Sequence, residues 1–215
     1  MIITQKKPLD EVWQMLEGVT RVALVGCGSC ATSCKTGGEP ELQEMKEYLE
    51  SNGKIVTATI IPNESCQKLL MKKELKALKD TDTQAILTLA CGDGVQTVAD
   101  NANIPVYPAT NTMFLGQVER VGLFSEACRM CGDCVLGHTG GICPITKCAK
   151  SLVNGPCGGQ KGGKCEVNPE NNCAWIDIYY RLDALGQLDK LKTMRTDKDY
   201  KNFAFPRRIS IREDK

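Results

Sequence analysis

Apolar residues recur at helical spacing in Pro8–Leu16, where Leu9, Val12, Trp13 and Leu16 share a face and Asp10 and Glu11 fall in the first turn. Arg21–Gly26 is a short continuous apolar run, the mark of a buried strand. In Pro40–Glu50 the residues Leu42, Met45 and Leu49 line one face, Pro40 opens the helix and Asn52-Gly53 closes it. Lys54–Ile61 (KIVTATII) is rich in β-branched residues and predicts a second strand. Ser65–Asp80 predicts a lysine-rich helix carrying Leu69, Leu70, Leu75 and Leu78. Ala85–Ala90, Val95–Asn101 and Ile104–Tyr107 then predict a third strand, a third helix and a short fourth strand. Three β-α steps in succession imply an α/β unit over residues 1–124, with a small parallel sheet of Rossmann-like or flavodoxin-like form.

Beyond this unit the periodicity stops. Residues 128–173 hold eight cysteines and nine glycines in 46 positions. Such a segment cannot build a core from side chains, so residues 125–190 are expected to form a cysteine-rich domain organised by metal, with little regular structure. Trp175–Leu188 returns to a helical pattern that should pack back on the body. Residues 191–215 form a charged, extended tail that carries Tyr200, Phe203, Phe205, Pro206 and Ile209. Those apolar residues need cover, either as a partner contact or as a strap across the chain's own domain.

Charge narrows the function. The 27 basic and 26 acidic residues are interspersed and leave a net charge of +1, which gives no electrostatic footprint for nucleic acid or an anionic membrane. Aromatic residues make up only 5% of the chain, too few for base-stacking platforms. No run of about 20 apolar residues is present to span a bilayer. The start, MIITQKKPLDEVWQML, lacks the apolar core of a signal peptide and points to a cytoplasmic protein. In that compartment thirteen cysteines imply metal ligation rather than disulfides, and the odd count argues the same way. The one histidine, His138, sits in a glycine-rich loop and is left out of the ligand set.

Residues 22–34, VALVGCGSCATSC, satisfy the dinucleotide fingerprint G-x-G-x-x-[GA] and thread Cys27, Cys30 and Cys34 through the same loop. A dinucleotide site needs a carboxylate at the end of the second strand, yet that strand ends Ile60-Ile61-Pro62-Asn63, with the first acid at Glu64. The regular helix after the glycines starts only near Pro40. Both departures favour a metal over a nucleotide, and the backbone freedom of the glycines would serve an anionic ligand in either case. In open parallel sheets sites lie outside the carboxyl ends of the strands, which is where Cys27, Cys30, Cys34, Cys66 and Cys91 all fall. Cys27, Cys30 and Cys34 with one remote thiol suit a [4Fe–4S] cluster. Cys91 is the expected fourth ligand, since the N–H groups of Gly92-Asp93-Gly94 at a helix start would stabilise a thiolate there. Cys66 is the alternative.

The second constellation is Cys128-x2-Cys131-x2-Cys134-x8-Cys143-Pro144, then Cys148, Cys157, Cys165 and Cys173. It resembles the bacterial ferredoxin run with a longer last gap. Eight thiols divide into two sets of four, holding two [4Fe–4S] clusters or one cluster and one zinc. Spacing alone does not fix the division; Cys128, Cys131, Cys134 and Cys173 against Cys143, Cys148, Cys157 and Cys165 is the expected grouping. The chain therefore counts two or three clusters, with one zinc possible in place of a cluster. No G-x-S-x-G, P-loop or HExxH motif stands beside these cysteines, so no catalytic residue is assigned. Two readings result: an electron-transfer module, or a structural four-thiolate zinc scaffold.

The segments CGDCVL, CPITKCAK, NGPCGG and CAW within residues 128–182 resemble the cysteine-rich C-terminal domain associated with methylenetetrahydrofolate reductases. Upstream, VGCGSCATSCKTGG and LACGDGVQTVAD are similar to the α/β half of the MetV-type small-subunit family of the same enzymes. This resemblance covers about residues 1–185. It implies a non-flavin iron–sulfur subunit without catalysis of its own, paired with a flavin-bearing (β/α)8-barrel subunit of the MetF type in the Wood–Ljungdahl pathway of acetogens. It also implies an upstream electron donor, such as ferredoxin or an NADH-linked or heterodisulfide-reductase-like module.

Overall fold

The computed structural model describes residues 1–203 and 205–211. The chain divides into two compact units, Met1–Ser125 and Glu126–Lys215. The first contains, in order, β1 (Ile2–Lys6), α1 (Leu9–Met15), β2 (Arg21–Val25), a single turn α2 (Cys30–Ser33), α3 (Glu39–Ser51) and β3 (Ile55–Ile60). It continues with α4 (Lys68–Glu74), β4 (Ala85–Thr88), α5 (Gly92–Ala99), β5 (Val106–Pro108), β6 (Thr110–Arg120) and β7 (Leu123–Cys128), which runs across the boundary between the units.

The parallel sheet has the order β3-β2-β4-β5. This is the expected α/β unit, wound outward in both directions from β2 and β4. Every residue of β2 from Val22 to Val25 is buried, and the strand's period of two divides them between the faces of the sheet. Val22 and Leu24 pack with Val12 and Leu16 at α1 and Leu42 and Leu49 of α3. Ala23 and Val25 pack on the other face with Met71 of α4 and Val98 of α5. Helices thus cover both faces, and the open edge at the strands' carboxyl ends is left for the loops.

Two features depart from the sequence pattern. The helix expected over Ser65–Asp80 is shorter: α4 gives way to a 3-10 turn at Leu75–Leu78, and Ser65 and Cys66 lie outside it. A second, three-stranded sheet, β1-β6-β7, was not expected at all. In it β1 pairs antiparallel with β6, from Ile2 opposite Leu115 to Lys6 opposite Thr110. Its strands are mostly polar and only half-buried, so the alternation that would mark them is faint.

The second unit is built on α6 (Pro144–Lys147) and α7 (Ala174–Ala184), with irregular chain between. Trp175, Ile178 and Leu182 of α7 form its small core, against which Ile142, Cys148, Cys173 and Leu188 pack. The Trp175 indole N–H donates to the Leu152 carbonyl at 3.0 Å, which pins the irregular segment to the helix. No helix among the described residues is long and apolar enough to cross a membrane.

The tight approach of the segment between β2 and α3 to the end of β4 sets a test. A Cβ on Gly37 would overlap the Leu89 carbonyl oxygen, whereas one on Gly53, at φ +84°, would meet only open space. Gly37→Ala is expected to cost about 3 kcal/mol by overpacking against backbone, and Gly53→Ala about 1 kcal/mol from backbone conformation alone. Urea unfolding followed by circular dichroism reads both; equal costs would contradict the packing.

Candidate metal centres

The loop after β2 is closed by its own backbone. Gly26 N–H donates to the Ile60 carbonyl, Cys27 N–H to Gly37 and Gly28 N–H to Pro62, each at 2.9 Å. A dinucleotide loop instead aims such N–H groups at the pyrophosphate. The glycines serve close packing: a Cβ on Gly26 would overlap Leu42 Cδ1, and one on Gly28 would lie 3.3 Å from Asn63 Cα. The expectation that this loop's freedom serves an anionic ligand is therefore corrected, because these donors are already taken. The helical turn α2 follows the glycines at once, although the first long helix, α3, does begin only at Glu39.

The carboxyl edge of the sheet gathers thiols. Cys27 follows β2 and is buried, Cys91 follows β4 and is half-buried, and Cys66 follows β3 and is exposed. Strands β2 and β4 are neighbours, so this is the crevice where the sheet's winding reverses. Burial pushes the Cys91 thiol up, against the N–H groups of Gly94 and Asp93, which bond the sulfur and favour its thiolate. Burial also raises the Cys66 thiol, and the charge of Asp93 and the thiols of Cys91 and Cys27 add to this. Cys66 and Cys91 are thus both electrostatic neighbours of Cys27, so both candidates for the fourth position lie near it. The Cys34 sulfur lies 3.8 Å from the Ile2 carbonyl oxygen. Cys30 opens α2.

In the second unit Cys148, Cys157, Cys165 and Cys173 line one recess of about 20 Å³; the first three belong to one expected set and Cys173 to the other. The chain makes this recess by non-local backbone bonds. Cys173 N–H donates to the Gly163 carbonyl at 2.7 Å and Cys165 N–H to Asn171 at 3.0 Å, a small ribbon that folds residues 161–173 back on themselves. The N–H groups of Asn168, then Val167, bond the Cys165 sulfur and hold its thiol below the ordinary range. The Cys157 thiol donates to Glu166 Oε1 at 3.3 Å, and Lys150 pairs with the same carboxylate.

The remaining thiols, Cys128, Cys131, Cys134 and Cys143, come from the loop after β7 and the start of α6. Thr146 Oγ1 lies 3.4 Å from the Ala127 carbonyl and 3.5 Å from that of Cys143, which places the residue before Cys128 beside Cys143. Met130 N–H donates to the Cys128 sulfur at 3.2 Å. His138 lines a cavity of about 300 Å³ with Trp175 and Tyr179, whose lining includes no cysteine. Among the described residues, no three His, Cys, Asp or Glu side chains stand ready-made in a geometry that could hold a metal ion. The donor chemistry nonetheless fits one: soft thiols, four of them along one recess, with backbone N–H groups bonding Cys91, Cys128 and Cys165 as thiolate ligands require.

Fold and site together define a thiol-rich α/β protein whose glycine loop is spent on packing. Residues 107–201 match the family model described as "Methylene-tetrahydrofolate reductase C terminal", so the cysteine-rich part of the chain is similar to that domain. The match extends upstream through β6 and β7, strands that the hydrophobic pattern did not mark. No curated protein matches the chain. Among solved structures, a protein described as a branched-chain amino acid ABC transporter from Rhodospirillum rubrum shares 20% identity, with a TM-score of 0.34 over 47% of this chain. This chain spans 28% of that structure's length.

The opposed environments of these thiols predict their reactivity. In the reduced, metal-free chain at pH 8, iodoacetamide should label Cys165 several-fold faster than Cys66, because a lowered pKa enlarges the thiolate fraction. Exposure alone would give the reverse order. Peptide mass spectrometry of timed samples distinguishes the two.

Proposed function

We propose that the chain is the non-flavin iron–sulfur subunit of a methylenetetrahydrofolate reductase complex, relaying electrons to the FMN of a separate MetF-type catalytic subunit. The observation that carries this reading is the coincidence of the reductase-domain match with a unit of eight cysteines, four of which line one recess. One-electron transfer is the chemistry that a thiolate-held [4Fe–4S] cluster supplies when bound. The residues proposed to hold one at the sheet edge are Cys27, Cys30, Cys34 and Cys91, with Cys66 the alternative fourth ligand. A second set is Cys128, Cys131, Cys134 and Cys143.

The chain's own part is to hold these sulfurs and set their surroundings. At the sheet edge, Ala31 and Ala90 pack around Cys27 and keep water from it. The N–H groups of Asp93 and Gly94 favour the thiolate of Cys91. Hydrogen bonds of this kind to sulfur also raise the potential of a bound cluster.

A different role suits Cys148, Cys157, Cys165 and Cys173. A recess of about 20 Å³ is the size for one ion rather than a four-iron cube, and four thiolates are a closed, structural zinc set. The zinc-scaffold reading thus survives for this set within the electron-transfer reading of the whole. It also accounts for how a segment with a core of three large side chains is held together.

Electron entry and exit can be ordered by experiment. With the cysteine-rich unit facing the flavin, dithionite-reduced chain should reduce the FMN of the partner subunit rapidly in anaerobic stopped flow. Cys134→Ala should slow that step at least tenfold. An unchanged rate would reject this unit as the exit, and no flavin reduction by the wild-type chain would reject the electron-transfer reading.

A further inference from the structure

The loop that carries Cys128, Cys131 and Cys134 has no helix or strand of its own, and two of its residues have left-handed backbone: Met130 at φ +51° and Gly132 at φ +78°. Such a loop does not hold three sulfurs in place unaided. The tail of the chain lies across it. Lys198 Nζ bonds the Asp133 carbonyl oxygen and stands 3.5 Å from the Asp133 carboxylate. Asp199 N–H reaches that carboxylate at 3.3 Å. Asn202 Nδ2 donates to the Gly132 carbonyl at 3.3 Å, and a Cβ on Gly132 would overlap Asn202. Arg207 Nη1 donates to the Met130 carbonyl at 2.8 Å and to the Asn202 carbonyl at 2.6 Å. Residues 130, 132 and 133 are therefore each gripped by the tail.

Lys198 is the centre of this grip. Its side chain is 1% exposed, rare for a lysine, and the ammonium also lies 5.6 Å from the Tyr200 ring centroid. The carbonyl it bonds is the one that the Cys131 thiol approaches at 3.7 Å. A buried cation thus shares an acceptor with a ligand sulfur. A cation so placed, and so fully desolvated, belongs beside concentrated negative charge, and one carboxylate with 31% of its side chain exposed is a modest counter-charge for it. Thiolates at Cys131 and its neighbours would complete that charge.

We infer that Lys198 is a positioning residue for the metal centre of Cys128, Cys131, Cys134 and Cys143, and that Lys198–Phe203 with Arg207 is the strap that keeps this ligand loop closed. This rests on the metal reading of those thiols. It goes beyond it in assigning a task to a tail that bears no ligand, and it separates that tail's inner part from its still-exposed Phe205, Ile209 and Ile211.

The test uses the full chain, purified anaerobically, as wild type, Lys198→Met, Lys198→Arg and Arg207→Gln. Iron release to bathophenanthroline and zinc release to 4-(2-pyridylazo)resorcinol are followed in parallel. Loss of a partner that orients ligands costs metal affinity about tenfold or more, so Lys198→Met should speed iron release from one set at least tenfold. Lys198→Arg should restore most of the difference, and Arg207→Gln should act in the same direction. Zinc release should not change, since the strap does not touch Cys148, Cys157, Cys165 or Cys173. Trypsin cleavage after Arg129, read in the metal-free chain, should quicken in Lys198→Met and recover in Lys198→Arg. Wild-type rates of both iron release and cleavage in Lys198→Met would overturn the strap. A wild-type chain that binds neither metal, yet is cleaved faster after Arg129 as Lys198→Met, would overturn the metal reading while keeping the clamp on the loop.

Discussion

The constraint on which this structure depends is the mutual repulsion of thiolates held close together. Free thiols that gather ionise readily only if a cation or a set of N–H donors absorbs the charge. At the sheet edge burial raises the thiols of both Cys66 and Cys91, and the charges of Asp93 and Cys27 add to this, so these two thiols resist ionisation as they stand. Backbone donors relieve Cys165, and the buried Lys198 bonds the Asp133 carbonyl that the Cys131 thiol also approaches. Each gathering of sulfur has its own local answer to the same electrostatic problem, and a soft metal centre answers all of them at once.

The two units reach that point by different physics. In the first, an ordinary double-wound core places loops at the carboxyl edge with no help from the cysteines, and the core is complete without them. In the second, three large residues of α7 form the core cluster, and two of the sulfur-bearing residues, Cys148 and Cys173, pack against it. Stability and ligation are separable in the first unit and joined in the second. Loss of thiols should therefore be tolerated structurally at the sheet edge and not in the cysteine-rich unit.

Much of this was legible in the sequence, for reasons that can be named. Strands β2 and β4 are buried and, with the β-branched run of β3, stand out in the sequence, so the parallel sheet and the placing of Cys27, Cys66 and Cys91 at its carboxyl edge follow from handedness and topology. Strands β6 and β7 were missed because their faces are half-wet and their alternation is weak. The glycine loop was misleading because a phosphate cradle and a tight strand–helix contact demand the same residue. Only the bonds of Gly26, Cys27 and Gly28 to carbonyls separate the two. The grouping of the eight later cysteines was hidden because Cys173 is brought to Cys148 by the packing of α7, a contact between residues far apart in sequence. Lys198 carried no signal, since nothing in a charged tail marks the one lysine that is buried.

The central claim is that these thiols are a metal-binding apparatus rather than buried apolar residues around a nucleotide site. Anaerobic determination of iron, acid-labile sulfide and zinc in the purified chain tests it most directly. The account predicts iron and sulfide in equal amounts, at about four of each per cluster, together with about one zinc per chain. A colourless chain with neither metal, or one that retains a nicotinamide or flavin nucleotide instead, would contradict it.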